Sequence, residues 1–208
     1  PWEWGGTMNF HEIIQNPNNG ELRIKAIPEV LDYFSKEIEL KKETLYNSKM
    51  IQTQNGVGIE SDTLGALLYP LEGDTFALDM VIKPERYHEF GIALHVDKEL
   101  ETGYFLRMNP KNQLVAWDMW PRGEQGRYQW QIKGDVPYQI ETARKLPKAE
   151  EYRVHIIKEK DICAVYINDE IALSTRMYDH KDGYAGVYVV QGNVNLIQYK
   201  EKRSEQYE

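Results

Sequence analysis

Cysteine is almost missing from this chain, in which Cys163 stands alone among 208 residues. A lone cysteine excludes an internal disulfide, so packing of apolar side chains has to hold the fold together. The composition allows this, because 41% of the residues are hydrophobic and 12% are aromatic. We therefore expect a single folded domain with a sizeable core and no disulfide framework.

Positive charge is scarce too, because 25 Lys and Arg stand against 33 Asp and Glu, for a net charge of −8. Nucleic acids and anionic membrane surfaces are bound through clustered basic residues. The longest apolar runs, such as 65–69 and 187–190, are far shorter than the roughly 20 residues of a membrane-spanning helix. The sequence predicts a soluble protein that binds neither nucleic acid nor membranes, and it leaves open whether that protein is cytoplasmic or secreted.

Motifs for metal binding and catalysis are also missing. The five histidines show no His-x-x-x-His or Cys-paired spacing, whereas a zinc site normally needs three or four convergent ligands. We expect no metal and no cofactor, although Asp179, Asp182 and Asn168 leave oxygen ligands for calcium open as an alternative. The acids at 97–101 fall in a polar connection, where solvated carboxylates are the rule, so we predict no catalytic residues among them.

Strand-like alternation is what the chain has instead. Residues 152–156 place apolar side chains on one face and polar side chains on the other. Asn168 and Asp169 tolerate the left-handed backbone of a tight hairpin, and similar turn signals recur at short intervals. Helical spacing occurs only after Pro28, which suits a helix start. This pattern predicts an all-β fold, a two-sheet antiparallel sandwich of the concanavalin or laminin-G-like jelly-roll type, with at most one or two short helical turns.

Individual strands can be placed by the same alternation. A hairpin is expected between 104–108 and 113–120, with Trp117 on the core face of its second strand. Cys163 is in phase with the apolar residues of its strand and should be a buried small hydrophobe. Another strand, at 75–82, is expected to end before Pro84, because proline cannot donate to a sheet.

The two ends of the chain carry a family resemblance. Asp161 is followed by Val-Tyr-Ile-Asn at 165–168 and Thr-Arg-Met-Tyr at 175–178, before a closing strand pair that contains glycine. Nearer the start, Gly-Glu-Leu at 20–22 precedes Pro-Glu-Val at 28–30. This order resembles the C-terminal β-sandwich domain of glycoside hydrolase family 32, the β-fructosidase family of invertases, levanases and inulinases.

The resemblance implies a non-catalytic module, because the family's catalytic motifs Asn-Asp-Pro-x-Gly, Glu-Cys and Arg-Asp-Pro are all missing here. It implies that 1–27 are a strand and linker from an upstream propeller, packed on the sandwich, that 28–203 form the β-sandwich, and that 204–208 are a frayed tail. The module would stabilise the propeller of an enzyme that hydrolyses β-fructosides such as sucrose or fructans. A homodimer is a further possibility.

One aromatic and polar run, 117–130, is the candidate ligand site. Sugars bind to aromatic faces and accept directional hydrogen bonds from polar side chains. The candidate carbohydrate-binding residues, for fructan or another glycan, are Trp120, Arg122, Tyr128 and Trp130. Packing or an interdomain contact is the alternative for these side chains. Trp2 and Trp4 are predicted to contact a neighbouring domain.

Overall fold

Strands make up most of this computed structural model, which describes residues 8–53, 55–120, 138–139 and 143–204. One short helix, α1, covers Pro28–Tyr33. The strands in chain order are β1 Glu12–Gln15, β2 Leu22–Lys25, β3 Lys36–Glu37, β4 Thr44–Tyr46, β5 Lys49–Gln52, β6 Val57–Leu71, β7 Thr75–Arg86, β8 Glu89–Val96, β9 Gly103–Asn109, β10 Leu114–Trp120, β11 Tyr138–Gln139, β12 Tyr152–Glu159, β13 Ile162–Ile167, β14 Ile171–Arg176 and β15 Gly183–Arg203. No helix in these ranges is long and apolar enough to cross a membrane.

Two layers share the long strands β6 and β15. In the first layer, the order β11-β10-β9-β8-β15 continues to β6, and it uses residues 183–190 of β15. The second layer contains β7, β12, β13 and β14, and residues 194–202 of β15 pair there with β7. The register of β15 shifts between Val190 and Gly192, where the strand passes from one layer to the other. All these pairings are antiparallel, as the alternation predicted.

The core lies between the layers and draws side chains from both. Trp117 and Leu106 enter it from the first layer, whereas Ile156 and Val165 enter from the second, and all four are fully buried. Cys163 is also buried in this core, and burial raises the pKa of its thiol to about 12. The predicted all-β sandwich is therefore confirmed, as are the core positions of Trp117 and Cys163.

The turn between β13 and β14 agrees with the sequence prediction, whereas the position of Pro84 does not. The hairpin of β13 and β14 turns through Asn168 and Asp169, whose φ angles of 54° and 53° are left-handed as expected. The prediction that a strand ends before Pro84 is wrong, because β7 continues to Arg86. Pro84 is tolerated because the register with β15 shifts beside it, between Asn193 and Val194, as happens at a bulge.

The segment before α1 covers the outer face of the second layer. The β1–β2 hairpin lies against β13 and β14, where the amide of Ile24 donates to the carbonyl of Glu170 at 3.2 Å. His11 Nδ1 lies 2.9 Å from the hydroxyl of Tyr166. Ile24 and Leu31 pack on a small buried cluster beneath them. The outer face of the second layer is therefore partly occupied by the chain itself, whereas that of the first layer forms a cavity described below.

One buried histidine marks a bulge at the end of β8. Leu94 and Val96 pair with Ala185 and Tyr184, so His95 is the extra residue, and it adopts a left-handed φ of 52°. It is 1% exposed, and neither ring nitrogen makes a hydrogen bond of normal geometry among the described residues, although the backbone of Asp182 lies close enough to oppose the fall in its pKa. Burial lowers the pKa of His95 to about 3, and the charge of Lys158 acts in the same direction.

The fold should therefore lose stability in acid through His95. Folding lowers the pKa of His95, so protonation of this residue does not reduce the unfolding free energy above about pH 6.5. The unfolding free energy then falls as the pH drops towards 3. Within this range, His95 alone should change the unfolding free energy by up to about 1.4 kcal/mol per pH unit. Asparagine also adopts left-handed backbone, so His95→Asn should flatten the dependence of the unfolding free energy on pH between 6.5 and 4.5. Urea denaturation across this range tests it, and parallel curves for the two proteins would contradict it.

Candidate functional site

A cavity of about 570 Å³ opens on the outer face of the first layer, opposite the core. Its volume falls within the range of small-ligand pockets. The described residues that line it are Leu64, Glu89, Leu100, Phe105, Arg107, Asp118, Trp120, Tyr188 and Val190. They come from the adjacent strands β6, β15, β8, β9 and β10 and from the loop after β8. We call this cavity the first-layer pocket.

Strict alternation along β9 and β10 explains which side chains reach the first-layer pocket. In β9, Leu106 points into the core, and its neighbours Phe105 and Arg107 point outward. In β10, Trp117 is fully buried, and the next residue, Asp118, belongs to the pocket. The same two strands therefore supply side chains to the core from one face and Arg107 and Asp118 to the pocket from the other.

A glycine creates room for the aromatic floor of the pocket. Gly91 of β8 is the cross-strand partner of Tyr188 on β15. A Cβ atom on Gly91 would lie 2.8 Å from Cε1 of Tyr188 and 1.9 Å from the carbonyl oxygen of Leu106. Tyr188 therefore lies across the strand at a place where no other residue type fits. Its ring also makes an edge contact with Phe105, at 5.7 Å between ring centroids.

The polar groups of the pocket form one hydrogen-bonded cluster around Arg107. Arg107 Nη2 and Nε donate to Oε2 of Glu89 at 2.7 and 3.0 Å. Arg107 Nη1 donates to Oδ2 of Asp118 at 3.0 Å. The hydroxyl of Tyr188 donates to the other carboxylate oxygen of Glu89 at 3.1 Å. These contacts fix four side chains from four neighbouring strands relative to one another.

Burial sets the protonation of this cluster. It raises the pKa of Asp118 above its ordinary value, and the hydrogen bond from Arg107 opposes the rise, whereas the charge of Glu89 adds to it. Hydrogen bonds to Glu89 raise the pKa of Arg107, which therefore stays charged. Burial, with a smaller contribution from Glu89, raises the pKa of Tyr188 well above its ordinary value. Tyr188 is thus a neutral donor at any physiological pH.

Hydrogen-bonding capacity remains for a ligand. Three of the five N–H donors of Arg107 are used by the two carboxylates, so two remain. Oδ2 of Asp118 accepts from Arg107, and Oδ1 has no hydrogen bond among the described residues. Donors and an acceptor therefore lie side by side next to the rings of Trp120 and Tyr188. A polyhydroxylated ring needs this combination, because each hydroxyl both donates and accepts and the C–H faces pack on aromatics.

Of the predicted site residues, only Trp120 lies among the residues that the structure describes. Trp120 is partly exposed and lines the first-layer pocket. Arg122, Tyr128 and Trp130, predicted with it, lie outside the described residues, as do Trp2 and Trp4.

Glu89, Arg107 and Tyr188 of the pocket were not predicted from the sequence, and Asp118 lies in the candidate run 117–130 but was not among its predicted binding residues. A signal for two of them was available. Arg107 and Asp118 are charged residues in the middle of strands whose neighbouring positions are large and apolar. A charged residue at such a position faces away from the core. Because its apolar neighbours partly bury it, it needs a partner of opposite charge.

Outside the hydrogen-bonded cluster, Asp97 stabilises a loop at the edge of the pocket. In the loop after β8, Asp97 Oδ1 accepts from the amides of Glu99 and Glu101 at 3.0 and 2.9 Å, and Oδ2 accepts from the hydroxyl of Thr102. This network holds Leu100 at the rim of the first-layer pocket. Among the residues that the structure describes, no three His, Cys, Asp or Glu side chains converge as a metal site would require.

Comparisons with known proteins reveal a shared fold. No protein-family profile and no curated protein sequence matches the chain. Among solved structures, the carbohydrate binding module CBM66 from Bacillus subtilis superposes with a TM-score of 0.65 at 16% identity, covering 79% of this chain and 97% of that one. Sucrose-6-phosphate hydrolase from Lactobacillus gasseri superposes with a TM-score of 0.50 at 11% identity, covering 94% of this chain and 33% of the enzyme. A fructosyltransferase from A. japonicus gives 0.54 at 12% identity, covering 92% and 31%.

This chain therefore spans about a third of the length of each of the two enzymes but matches nearly the whole of the binding module. At these identities the likeness shows a common β-sandwich architecture. The chemistry of the pocket has to be argued from the side chains of this chain.

Arg107 should be the residue on which the pocket's stability depends. Replacing it by methionine leaves the mostly buried carboxylates of Glu89 and Asp118 without a counter-charge, at a cost of roughly 1–3 kcal/mol of unfolding free energy. Adding Glu89→Gln to that variant should recover part of the loss. Arg86→Met, which breaks the exposed pair with Glu60, is the matched control and should cost under about 0.5 kcal/mol. Equal losses in the two arginine variants, measured by chemical denaturation, would contradict the assignment.

Proposed function

We propose that this chain is a carbohydrate-binding module and that the first-layer pocket is its sugar site. The single observation that carries the proposal is the geometry of that pocket, where the fixed Arg107 cluster adjoins the aromatic side chains of Trp120, Tyr188 and Phe105. Fixed donors and acceptors orient hydroxyl groups, and aromatic faces take the C–H surface of the ring. The likeness in fold to a carbohydrate binding module that matches over nearly its whole length supports the same proposal.

Binding rather than catalysis suits the arrangement. The carboxylates of Glu89 and Asp118 both hydrogen-bond the guanidinium of Arg107, so both are held in fixed positions beside the same positive charge. Glycoside hydrolysis needs one carboxyl group kept protonated as a general acid and a second as nucleophile or base. The Arg107 cluster holds both groups in hydrogen bonds that fix their position, which is what a recognition site requires.

Calorimetric titration with neutral oligosaccharides tests the proposal. The panel consists of levan, inulin, galactan and xylan oligosaccharides, each titrated to millimolar concentration. We expect at least one to bind, and Trp120→Ala to weaken that binding by about tenfold or more through loss of the aromatic wall. Asp118→Asn should weaken it too, because the amide oxygen stays opposite Arg107 and an NH2 group, which donates and does not accept, replaces the free acceptor Oδ1.

Tyr33→Ala is the matched control for loss of an aromatic side chain. Tyr33 lies on α1 and is 41% exposed, and α1 lies on the far side of the sandwich from the pocket. This variant should bind as tightly as the unchanged protein. Absence of binding across the whole panel, or equal affinities for Trp120→Ala and Tyr33→Ala, would reject the first-layer pocket as a sugar site.

A second candidate function is support of a catalytic domain in a β-fructosidase of glycoside hydrolase family 32. Two observations favour it. The enzyme structures match 92–94% of this chain, against 79% for the binding module, so the likeness to the enzymes includes more of the chain. The hairpin β1–β2 and the residues before it also expose Phe10, Ile13 and Leu22, each more than 60% accessible. Large apolar side chains grouped in this way are typical of interdomain or subunit contacts.

The natural full-length polypeptide decides this second candidate. If it is right, that polypeptide carries a propeller with an aspartate nucleophile before position 1, releases fructose from sucrose, and loses thermal stability when Phe10→Ser and Ile13→Ser are introduced together. A full-length polypeptide that carries no such domain would reject it. The two candidate functions are compatible, because they use opposite layers of the sandwich.

A further inference from the structure

The charges of the first-layer pocket determine which sugars it can accept. Among its described lining residues, the ionisable side chains that carry charge are Glu89, Arg107 and Asp118. Two negative charges and one positive charge leave the cluster with a net charge of −1. The arginine lies between the two carboxylates, within 3.0 Å of each, so its charge is already more than balanced by theirs.

Burial strengthens the effect of these charges. The side chains of Asp118 and Glu89 are only 6% and 14% exposed, whereas that of Arg107 is 39% exposed. Charges removed from water act at lower effective dielectric and are less screened by salt than exposed ones. A ligand in the pocket therefore meets a cluster of net negative charge, in which two N–H groups of Arg107 remain free to bind neutral oxygen atoms.

We infer that the first-layer pocket selects uncharged sugars and rejects uronates, sugar phosphates and other anionic glycans. The inference rests on the proposed sugar-binding function and adds its substrate class. A neutral sugar can donate a hydroxyl proton to Oδ1 of Asp118 and accept from Arg107 at no electrostatic cost. A carboxylate or phosphate on the same ring would be repelled by the net charge of the cluster and would find no unpaired cation among the described lining residues.

The matched pair of ligands is an oligosaccharide and its own oxidised form. The best-binding member of the neutral panel is oxidised at its primary hydroxyl groups to carboxylates, and a portion of the product is converted to the methyl ester. The carboxylate form should bind at least about tenfold more weakly than the parent sugar. The ester carries no charge and also lacks the original hydroxyl, so it should regain most of the affinity if charge is the cause.

Glu89→Gln tests whether the negative charge of the cluster causes the difference in affinity between the neutral sugar and its carboxylate form. The amide is nearly isosteric: its oxygen can accept from Arg107 in place of Oε2, and its NH2 group can donate to the hydroxyl oxygen of Tyr188, but the pocket loses one negative charge. The difference in affinity between the parent sugar and its carboxylate should narrow by several-fold in this variant. Glu159→Gln removes the same charge from an exposed position of β12 in the second layer and should leave the difference unchanged.

The possible outcomes are distinct. If the carboxylate form binds as tightly as the parent, or if the ester binds as weakly as the acid, charge selection is overturned and sugar binding stands. If no neutral sugar binds, the proposed function fails and the inference falls with it. If Glu89→Gln and Glu159→Gln change the difference equally, the selection arises from the overall charge of −8 and not from the pocket, and the inference is likewise overturned.

Discussion

Arg107 between two carboxylates is the interaction on which the character of the first-layer pocket depends. A guanidinium on a sheet face attracts Glu89 from one neighbouring strand and Asp118 from the other, and each of the three would be costly there without its partners. The cluster therefore holds fixed polar groups on a sheet face that is otherwise apolar. Its two carboxylates also balance the charge of Arg107, which is the basis for the proposed preference for uncharged sugars.

The two layers of the sandwich differ in how much of their outer face is covered. Strands β8, β9 and β10 each have one face in the core, where Phe90, Leu106 and Trp117 pack against the second layer. On the other face, the missing side chain of Gly91 leaves room for the ring of Tyr188, which forms the floor of the pocket. On the second layer the corresponding outer face is partly covered by β1, β2 and α1. The sandwich thus has one face partly covered by its own chain and one that bears a pocket.

Much of the architecture follows from local sequence. Alternation predicted the strands, the left-handed pair Asn168 and Asp169 predicted a hairpin, and Pro28 predicted the start of the one short helix. Trp117 was placed in the core by the same period of two. Pro84 was misinterpreted because a proline in the middle of a strand needs a register shift in the partner strand, and the partner, β15, is more than a hundred residues away in the sequence.

The pocket could be predicted less well, because it is formed by strand neighbours and not by sequence neighbours. Glu89, Arg107, Asp118 and Tyr188 come from four strands that spread over a hundred residues. Alternation shows that Arg107 and Asp118 point away from the core, but it does not show that their strands are adjacent or that Glu89 completes the cluster. The aromatic run that drew attention in the sequence touches this pocket at its first exposed residue, Trp120.

A crystal structure of the protein soaked with a neutral oligosaccharide from the binding panel tests the central claim most directly. We expect a sugar ring in the first-layer pocket, against Trp120 or Tyr188, with ring hydroxyls within hydrogen-bond distance of Asp118 Oδ1 and the free N–H groups of Arg107. Sugar density on another surface of the sandwich, with the first-layer pocket empty at saturating ligand, would contradict that claim.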